Sequence, residues 1–409
     1  MAVVGAGPAG IAAACAAAEA GADVALLDGA PAPGGQIWRV PTRASQRWLA
    51  RLARSGARFI AGARVVDVEG RRTLLAERDG GPLRVETERL VLCPGARELF
   101  LPFPGWTLPD VIGVGAAQAL VDSGLDVRGR HAVVAGSGPL LLPTAATLAR
   151  RGARVALVAE QAPLGRLVRF AAALVADPAR ALEAMRLRAG FGRARYRAGT
   201  FVESARGAGS VAEVTLSDGA RSWRETCDLL CCGYGLVPNL ELPALLGCAV
   251  EGDVVRVDDD QATSVEGVYC AGEPTGIGGA ALALVEGEIA GRAAAGRPGG
   301  APRLRALRRR ERRFARRMEQ AFALRGELRG LARPDTVVCR CEDVPLERLR
   351  GDWTPRQAKL YTRCGMGPCQ GRVCGPALRL LFGWGPDGVR PPLEPAAVRT
   401  LSEPAGEGA

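Results

Sequence analysis

Histidine and lysine are almost missing from this chain: His131 and Lys359 are the only ones in 409 residues. Oxidation of an amine or a hydroxy acid ordinarily calls for a positioned base. His131 opens a strand-like run and reads as a strand-edge residue, and Lys359 lies among cysteines. No substrate-oxidising constellation is therefore visible. Long apolar runs are also missing; none reaches the roughly 18–20 residues needed to span a bilayer. The chain opens on "MAVVGAGPAG" with no basic segment before it, so nothing suggests export. In a reducing compartment its twelve cysteines read as core fillers, metal ligands or redox groups and not as disulfides. The formal charge of +11 comes almost wholly from arginine. With no basic–aromatic interleaving and no groove-reading helix, that excess reads as a compositional bias and not as a nucleic-acid footprint. Its densest stretch, "RLRALRRRERRFARR" (303–317), has the spacing of one amphipathic helix, either a solvated linker or a docking surface for an acidic subunit.

What the chain does have is glycine, 54 residues of it, and a length that points to two or three domains. "AVVGAGPAGIAAACAAAEAGADVALLD" (2–28) runs strand, glycine-rich turn, Ala-rich helix, strand. Gly5 permits the tight turn, Gly7 lets backbone approach a pyrophosphate, and Gly10 lets helix pack on strand. The helix start offers free N–H donors to that diphosphate. Asp28 closes the second strand, where an acid accepts hydrogen bonds from an adenosine ribose. With both strands and the acid in place, dinucleotide binding follows.

"GRHAVVAGSGPLLLPTAATLARRGARVALVAEQ" (129–161) repeats the pattern, with Gly136, Gly138 and Glu160 matching Gly5, Gly7 and Asp28. The third glycine is replaced by Leu141, whose side chain must push helix and strand apart or move into the pocket. Pro143 is tolerable only near a helix start. This second module therefore looks altered from nicotinamide use, leaving an adenine nucleotide (ATP or NAD(P)) or nothing as its occupant. Three more segments bear on the first module. "APAPGGQIWR" (30–39) supplies a Gly34–Gly35 turn and Gln36, "RLVLCPGARELFLPFPGW" (89–106) crosses between domains at Pro94–Gly95, and "GVYCAGEPTGIGGAALALVEGEIAG" (267–291) ends a strand at Gly272–Glu273. Val65 joins Gly35, Gln36, Gly95, Gly272 and Glu273 in the candidate cofactor-binding set.

Five cysteines crowd the C-terminal region, in "VCRCEDV" (338–344) and "TRCGMGPCQGRVC" (362–374). An extended "VCRC" would put the sulfurs of Cys339 and Cys341 on one face. Gly365, Gly367 and Gly371 free the backbone to wrap and aim amides at sulfur. Four thiolates at one centre suit zinc or iron–sulfur, and the spacing departs from the paired knuckles of zinc ribbons. Arg340, Arg363 and Arg372 place positive charge around such a centre, which raises its reduction potential. The remaining cysteines, Cys93, Cys231, Cys232 and Cys270 among them, sit in apolar strand-like runs and read as small hydrophobes. No Cys-x-x-Cys lies near the second glycine loop and no cysteine follows Gly34–Gly35, so disulfide-reductase chemistry is not supported.

Together the segments up to residue 291 resemble the two-dinucleotide-binding flavoproteins, a family that includes thioredoxin reductase. There the step matching Gly272–Glu273 hydrogen-bonds the ribityl chain and pyrophosphate of FAD, which implies FAD in the first module. The cysteine region resembles the 2Fe–2S domain of bacterioferritin-associated ferredoxin. "GMGPCQGRVC" is similar to the tails of anaerobic glycerol-3-phosphate dehydrogenases and opine oxidases. By position that resemblance makes Cys339, Cys341, Cys369 and Cys374 the ligands, with Cys364 to spare. The whole, from residue 1 to about 380, resembles the α/A-type subunits of opine oxidase, hydrogen cyanide synthase and proline or hydroxyproline dehydrogenases.

Much follows from this resemblance. The fold implied is α/β, with two Rossmann-like dinucleotide-binding domains, the second inserted in the first, and a small C-terminal 2Fe–2S domain. The FAD domain is expected at 1–110 and 227–296, the second nucleotide domain at 111–226, and an Arg-rich helical connector at 297–335. The cluster domain is expected at 336–388 and a loose Pro/Gly-rich tail at 389–409. The activity implied is electron transfer within a heteromeric amino or imino acid dehydrogenase. The partners implied are a glycine-oxidase-like flavoprotein β subunit, which oxidises the substrate, and a small third subunit, with no nucleic acid. A cytoplasmic location is expected, with peripheral attachment to the inner face of the membrane as the variant. The short lead before Gly5 suggests a truncated first strand. The competing expectation is a stand-alone NAD(P)H-dependent reductase of a ferredoxin-like acceptor.

Overall fold

The computed structural model describes residues 1–409 apart from 40–41, 71, 80, 176, 193, 298–301, 386–387 and 403–409. Two compact units emerge, one of residues 1–97, 237–316 and 388–409, the other of 98–236 and 317–387. The first unit thus closes around a long insertion, with crossovers at 97/98 and 236/237 where the sequence suggested 110/111 and 226/227.

A five-stranded parallel sheet forms the first unit, in the order Val268–Cys270, Leu90–Leu92, Ala2–Val4, Ala25–Asp28, Arg58–Ala61. Its central strands Leu90–Leu92 and Ala2–Val4 are short apolar runs buried on both faces, as parallel sheets require. The Ala-rich helix Pro8–Glu19 starts on proline, whose missing N–H costs nothing in the first turn. It packs closely on the helix Gly279–Ala294. Side chains at Gly287 and Gly291 would strike the carbonyl oxygens of Ala9 and Ala13 at 2.0 and 2.1 Å, so glycine there sets the separation. That contact brings the Gly272–Glu273 turn up to the first glycine loop. The final segment departs from expectation. Leu393 is buried in the core beside Leu27 and Leu74, its N–H donating to the Val66 carbonyl at 2.7 Å, and the Ala397 N–H donates to Glu77 at 2.9 Å. Residues 388–402 are therefore seated, not loose, and 403–409 lie outside the described residues.

The second unit has its own five-stranded parallel sheet, ordered Arg195–Ala198, Arg154–Glu160, His131–Gly136, Leu229–Gly233, Val111–Gly113. Cys231 and Cys232 face opposite sides of it, each in a different hydrophobic cluster, so neighbouring strand residues diverge as expected. An antiparallel sheet of Phe201–Arg206, Glu213–Ser217 and Ser222–Thr226 packs beside it, and the 217–222 hairpin turn is held by Asp218 accepting from the Ala220 and Arg221 N–H groups. The cysteine-rich part folds around Val338, Val344, Leu349, Ala358, Leu378 and Trp384. It is tied to the unit's main core by Trp106, whose indole N–H donates to the Val337 carbonyl at 2.6 Å. No helix among the described residues is long and apolar enough to cross a membrane.

Candidate functional site

The first glycine loop has the geometry its sequence predicts. Gly5 sits at φ +99° with no room for a side chain beside the Cys93 carbonyl, and a side chain at Gly10 would lie 1.7 Å from the Gly5 oxygen. Gly7 faces open space, with nothing within 4 Å of where its Cβ would stand. That open space lies beside the N-terminus of a buried helix, whose free N–H groups favour an anion. The Asp28 carboxylate accepts from the Ala6 N–H at 2.5 Å and the Ala30 N–H at 2.7 Å while staying partly exposed. Gly35, at φ +59°, packs its backbone on Gly7, and the Gly34 N–H donates to the Ala6 carbonyl at 2.8 Å. Gln36 is exposed beside this turn. Gly95, at φ +70°, is pinned by Asn239, whose N–H donates to its carbonyl and whose side-chain amide donates to that of Pro94. Val65 lies half-buried in the core that holds Leu27 and Ala63.

Gly272, at φ +82°, begins the Glu273 turn, and the Glu273 carboxylate accepts from the Gly278 and Gly279 N–H groups. Burial raises that carboxyl above the usual range. Behind the turn lies a group the sequence reading missed. Glu286 is fully buried, accepts from the Gly272 N–H at 3.1 Å and the Thr275 hydroxyl at 2.8 Å, and takes Arg312 Nε at 2.8 Å on its other oxygen. Arg308, almost as buried, lies 3.6 Å from the same oxygen. The Arg-rich helix Pro302–Phe322 is therefore not simply a solvated linker; in this unit it neutralises the acid that shapes the Gly272 turn. The available signal was a glutamate set among the apolar residues Leu282, Val285 and Ile289 of the helix Gly279–Ala294.

The second glycine loop is built differently. Its helix starts at Leu141, three residues after Gly138, whereas the first starts directly after Gly7. Leu141 turns into the core against Val114, Val134 and Ala145, and Pro143 falls harmlessly in the first turn. Gly136, Ser137, Gly138 and Glu160 are all buried, whereas Gly5, Gly7 and Asp28 keep exposure. Glu160 accepts from the Gly138 and Ala162 N–H groups, both at 2.8 Å.

Burial pushes the Glu160 carboxyl up to about 7. A carboxyl raised this way stabilises the fold while protonated in both states, and that contribution is lost as pH climbs through its folded value. Between pH 5 and 8 the wild-type chain is expected to lose on the order of 3 kcal/mol through this group. Denaturation of wild type and Glu160→Gln at both pH values checks it, since the variant should lack that share of the pH dependence. Equal pH dependence in the two proteins rejects it.

In the cysteine-rich part, Cys339, Cys364 and Cys374 bring their sulfurs within 4.8 Å of one another, all buried. Cys339 ends a short strand paired with Val344–Pro345, and the chain then turns, with Asp343 at φ +48°. The expected shared face for Cys339 and Cys341 is thereby lost. Cys339 points inward, while Cys341 is exposed and lies against Cys369. Gly365 and Gly371, at φ +79° and +78°, wrap the second segment so that the Gly365 N–H reaches the Cys339 sulfur at 3.5 Å. Hydrogen bonds from the Cys364 and Cys374 thiols hold the Cys339 thiol well below its usual range, and the same contacts push Cys364 and Cys374 up. One buried thiolate shared by two thiols is an arrangement in which a metal can replace the protons. Cys364, reckoned surplus by motif position, thus stands beside Cys339 and Cys374.

A pyridine nucleotide-disulphide oxidoreductase profile matches residues 1–287. The A-type component of opine oxidase from Rhizobium meliloti (strain 1021) is 33% identical over 459 residues, covering 98% of each chain. Hydrogen cyanide synthase subunit HcnB of Pseudomonas aeruginosa is 32% identical, over 91% of this chain and 90% of its own. Among solved structures, L-proline dehydrogenase from P. horikoshii superposes with a TM-score of 0.72 at 18% identity, over 98% of this chain and 79% of that one. Thioredoxin reductase from Lactococcus lactis gives 0.55 at 19% identity, over 72% and 96%.

Proposed function

This chain belongs to the pyridine nucleotide-disulphide oxidoreductase family, and from that premise we propose that it is the FAD- and 2Fe–2S-bearing electron-transfer subunit of a heteromeric amino or imino acid dehydrogenase. The observation that carries this reading is a buried pocket of soft ligands on the same chain as an open dinucleotide crest. The naming of its full-length relatives as subunits supports a heteromeric assembly. The sequence shows no His/Asp or Lys/Asp constellation near the first module, which favours substrate oxidation on the partner, a glycine-oxidase-like flavoprotein, and a small third subunit would complete the assembly. The assembly is proposed as cytoplasmic, with or without peripheral attachment to the membrane.

The FAD diphosphate would approach the backbone at Gly7, with Gly5 shaping the turn and Gly10 the close helix–strand approach, and Asp28 would meet its ribose. Gly272 and Glu273, with Gly272 held by Glu286, would meet the ribityl chain, while Gly35, Gln36, Val65 and Gly95 would line the rest. Bound FAD supplies a carrier that takes two electrons and releases them singly. Cys339, Cys341, Cys369 and Cys374 would hold the iron–sulfur cluster, which supplies a one-electron relay. A structural zinc ion is the second reading. Thiolates around zinc, at about 2.3 Å from the metal, stand close together, and the spacing of Cys339, Cys364 and Cys374 favours it. Metal analysis and a visible spectrum separate the two.

The chain purified alone is expected to show flavin and cluster absorbance and negligible dye reduction with amino or imino acids. Activity should return with a co-purifying flavoprotein from native cells. Brisk turnover by the isolated chain, in preparations free of iron, rejects the reading.

A further inference from the structure

Two copies of one motif sit in this chain in opposite states, and the difference has a visible cause. The crest of the second sheet, formed by the residues directly after three neighbouring strands, is bridged by the chain's own segment 322–325. After His131–Gly136 comes Ser137, whose hydroxyl donates to the Phe322 carbonyl at 2.8 Å. After Arg154–Glu160 comes Gln161, which is fully buried. Its side-chain amide donates to the Ser137 hydroxyl at 2.8 Å, and its carbonyl oxygen accepts from the Arg325 N–H at 3.1 Å. After Arg195–Ala198 comes Gly199, whose carbonyl accepts from the Arg325 guanidinium at 2.9 Å. The Arg325 guanidinium also lies over the Phe201 ring at 5.3 Å, and the Phe322 ring meets Phe170 edge-on at 5.4 Å.

Ligands of open α/β sheets bind in the crevice outside the carboxyl ends of the strands, with the ribose at the acid that closes the second strand. Here that acid, Glu160, is 1% exposed, whereas Asp28, which likewise accepts from two backbone N–H groups, stays partly exposed. A cavity of about 690 Å³ remains alongside, lined by residues that include Pro163, Arg166, Gly199, Leu324 and Arg325. No glycine-loop residue lines it, so it does not reach the diphosphate position. The residues present therefore do not fit the nicotinamide dinucleotide that the fold family implies for this module. We infer that segment Phe322–Arg325 is the resident occupant of the second dinucleotide crest, standing where the adenosine half of such a ligand would lie. The expectation of ATP or NAD(P) held by Gly136, Gly138 and Glu160 is replaced by a pocket filled from within. This inference is independent of the electron-transfer reading, because a filled crest is compatible with any donor except a nicotinamide.

Hydrogen exchange of the purified full chain tests it. The Arg325 amide should exchange slowly, and addition of NADH, NADPH or ATP to about 1 mM, a concentration that reports even weak binding, should leave it unchanged. The flavin should not bleach with NADH or NADPH in the absence of oxygen. Gln161→Ala should speed exchange at Arg325 by about tenfold or more while the first-module amides hold their rates. Saturable binding of any of the three nucleotides to wild type below about 100 μM, or exchange of 322–325 at unstructured rates in wild type, overturns the inference. A variant that fails to fold leaves both wild-type measurements decisive.

Discussion

Cys374→Ser should strip the chain of iron and of every visible band not owed to flavin, and Cys369→Ser should do the same. Cys364→Ser should keep most of both. A 2Fe–2S cluster takes four cysteine thiolates, two at each iron. The structure supplies a buried triad, Cys339, Cys364 and Cys374, and a separate contact of Cys341 with Cys369. The motif selects Cys339 and Cys374 from the triad and both members of the other contact. On that selection Cys364 is a neighbouring thiol, hydrogen-bonded to Cys339 and Cys374, and its loss would remove no ligand. The Cys364→Ser spectrum decides the matter: if that change alone erases the iron signal, the ligand set is Cys339, Cys364, Cys374 and one other. Iron content should be read alongside, because a zinc-loaded chain would be colourless throughout and would show metal loss only by elemental analysis.

The parts of this molecule that the sequence reveals are those where backbone geometry permits one residue type. Gly5 and Gly10 are legible because a side chain would collide with a carbonyl, and both glycine loops stand out for that reason. Parallel strands such as Leu90–Leu92 and Leu229–Gly233 read as short apolar runs because both faces are buried. What stayed hidden depends on residues far apart in the chain. Glu286 looks like one more helical acid until Arg308, Arg312 and Gly272 converge on it. Segment 322–325 carries no motif; backbone carbonyls and one amide supply part of its contacts, and the Arg325 guanidinium is one arginine among many in the chain. The tail looked loose from its Pro and Gly content, yet Leu393 finds a core site 327 positions from Val66. "VCRC" looked extended because period-2 spacing is all that sequence shows, whereas the turn after Cys339 sends the second sulfur outward.

Gly10→Ala is expected to cost the chain its FAD, with affinity falling by about 100-fold or more, equivalent to roughly 3 kcal/mol. Helix propensity alone predicts the opposite sign, since alanine in a helix is favoured over glycine by about 1 kcal/mol. The clash outweighs it. The new methyl would stand 1.7 Å from the Gly5 carbonyl oxygen, and the obstructing atom is backbone, unable to rotate away. Helix Pro8–Glu19 must then shift, and it is locked on its far side against Gly287 and Gly291 with no slack. The shift has to open the loop that faces the diphosphate. The second module is the in-chain control: Leu141 occupies the matching place, its helix starts later, and its loop is buried. The reciprocal change, Leu141→Gly, should therefore gain no nicotinamide binding. It removes a side chain that is 1% exposed, at a cost of about 3–5 kcal/mol, and segment 322–325 still covers the crest. Flavin retained through gel filtration, with fluorescence titration of the apo chain, reads the first change. A Gly10→Ala protein holding FAD as tightly as wild type would mean that the close approach at Gly10 does not govern the site.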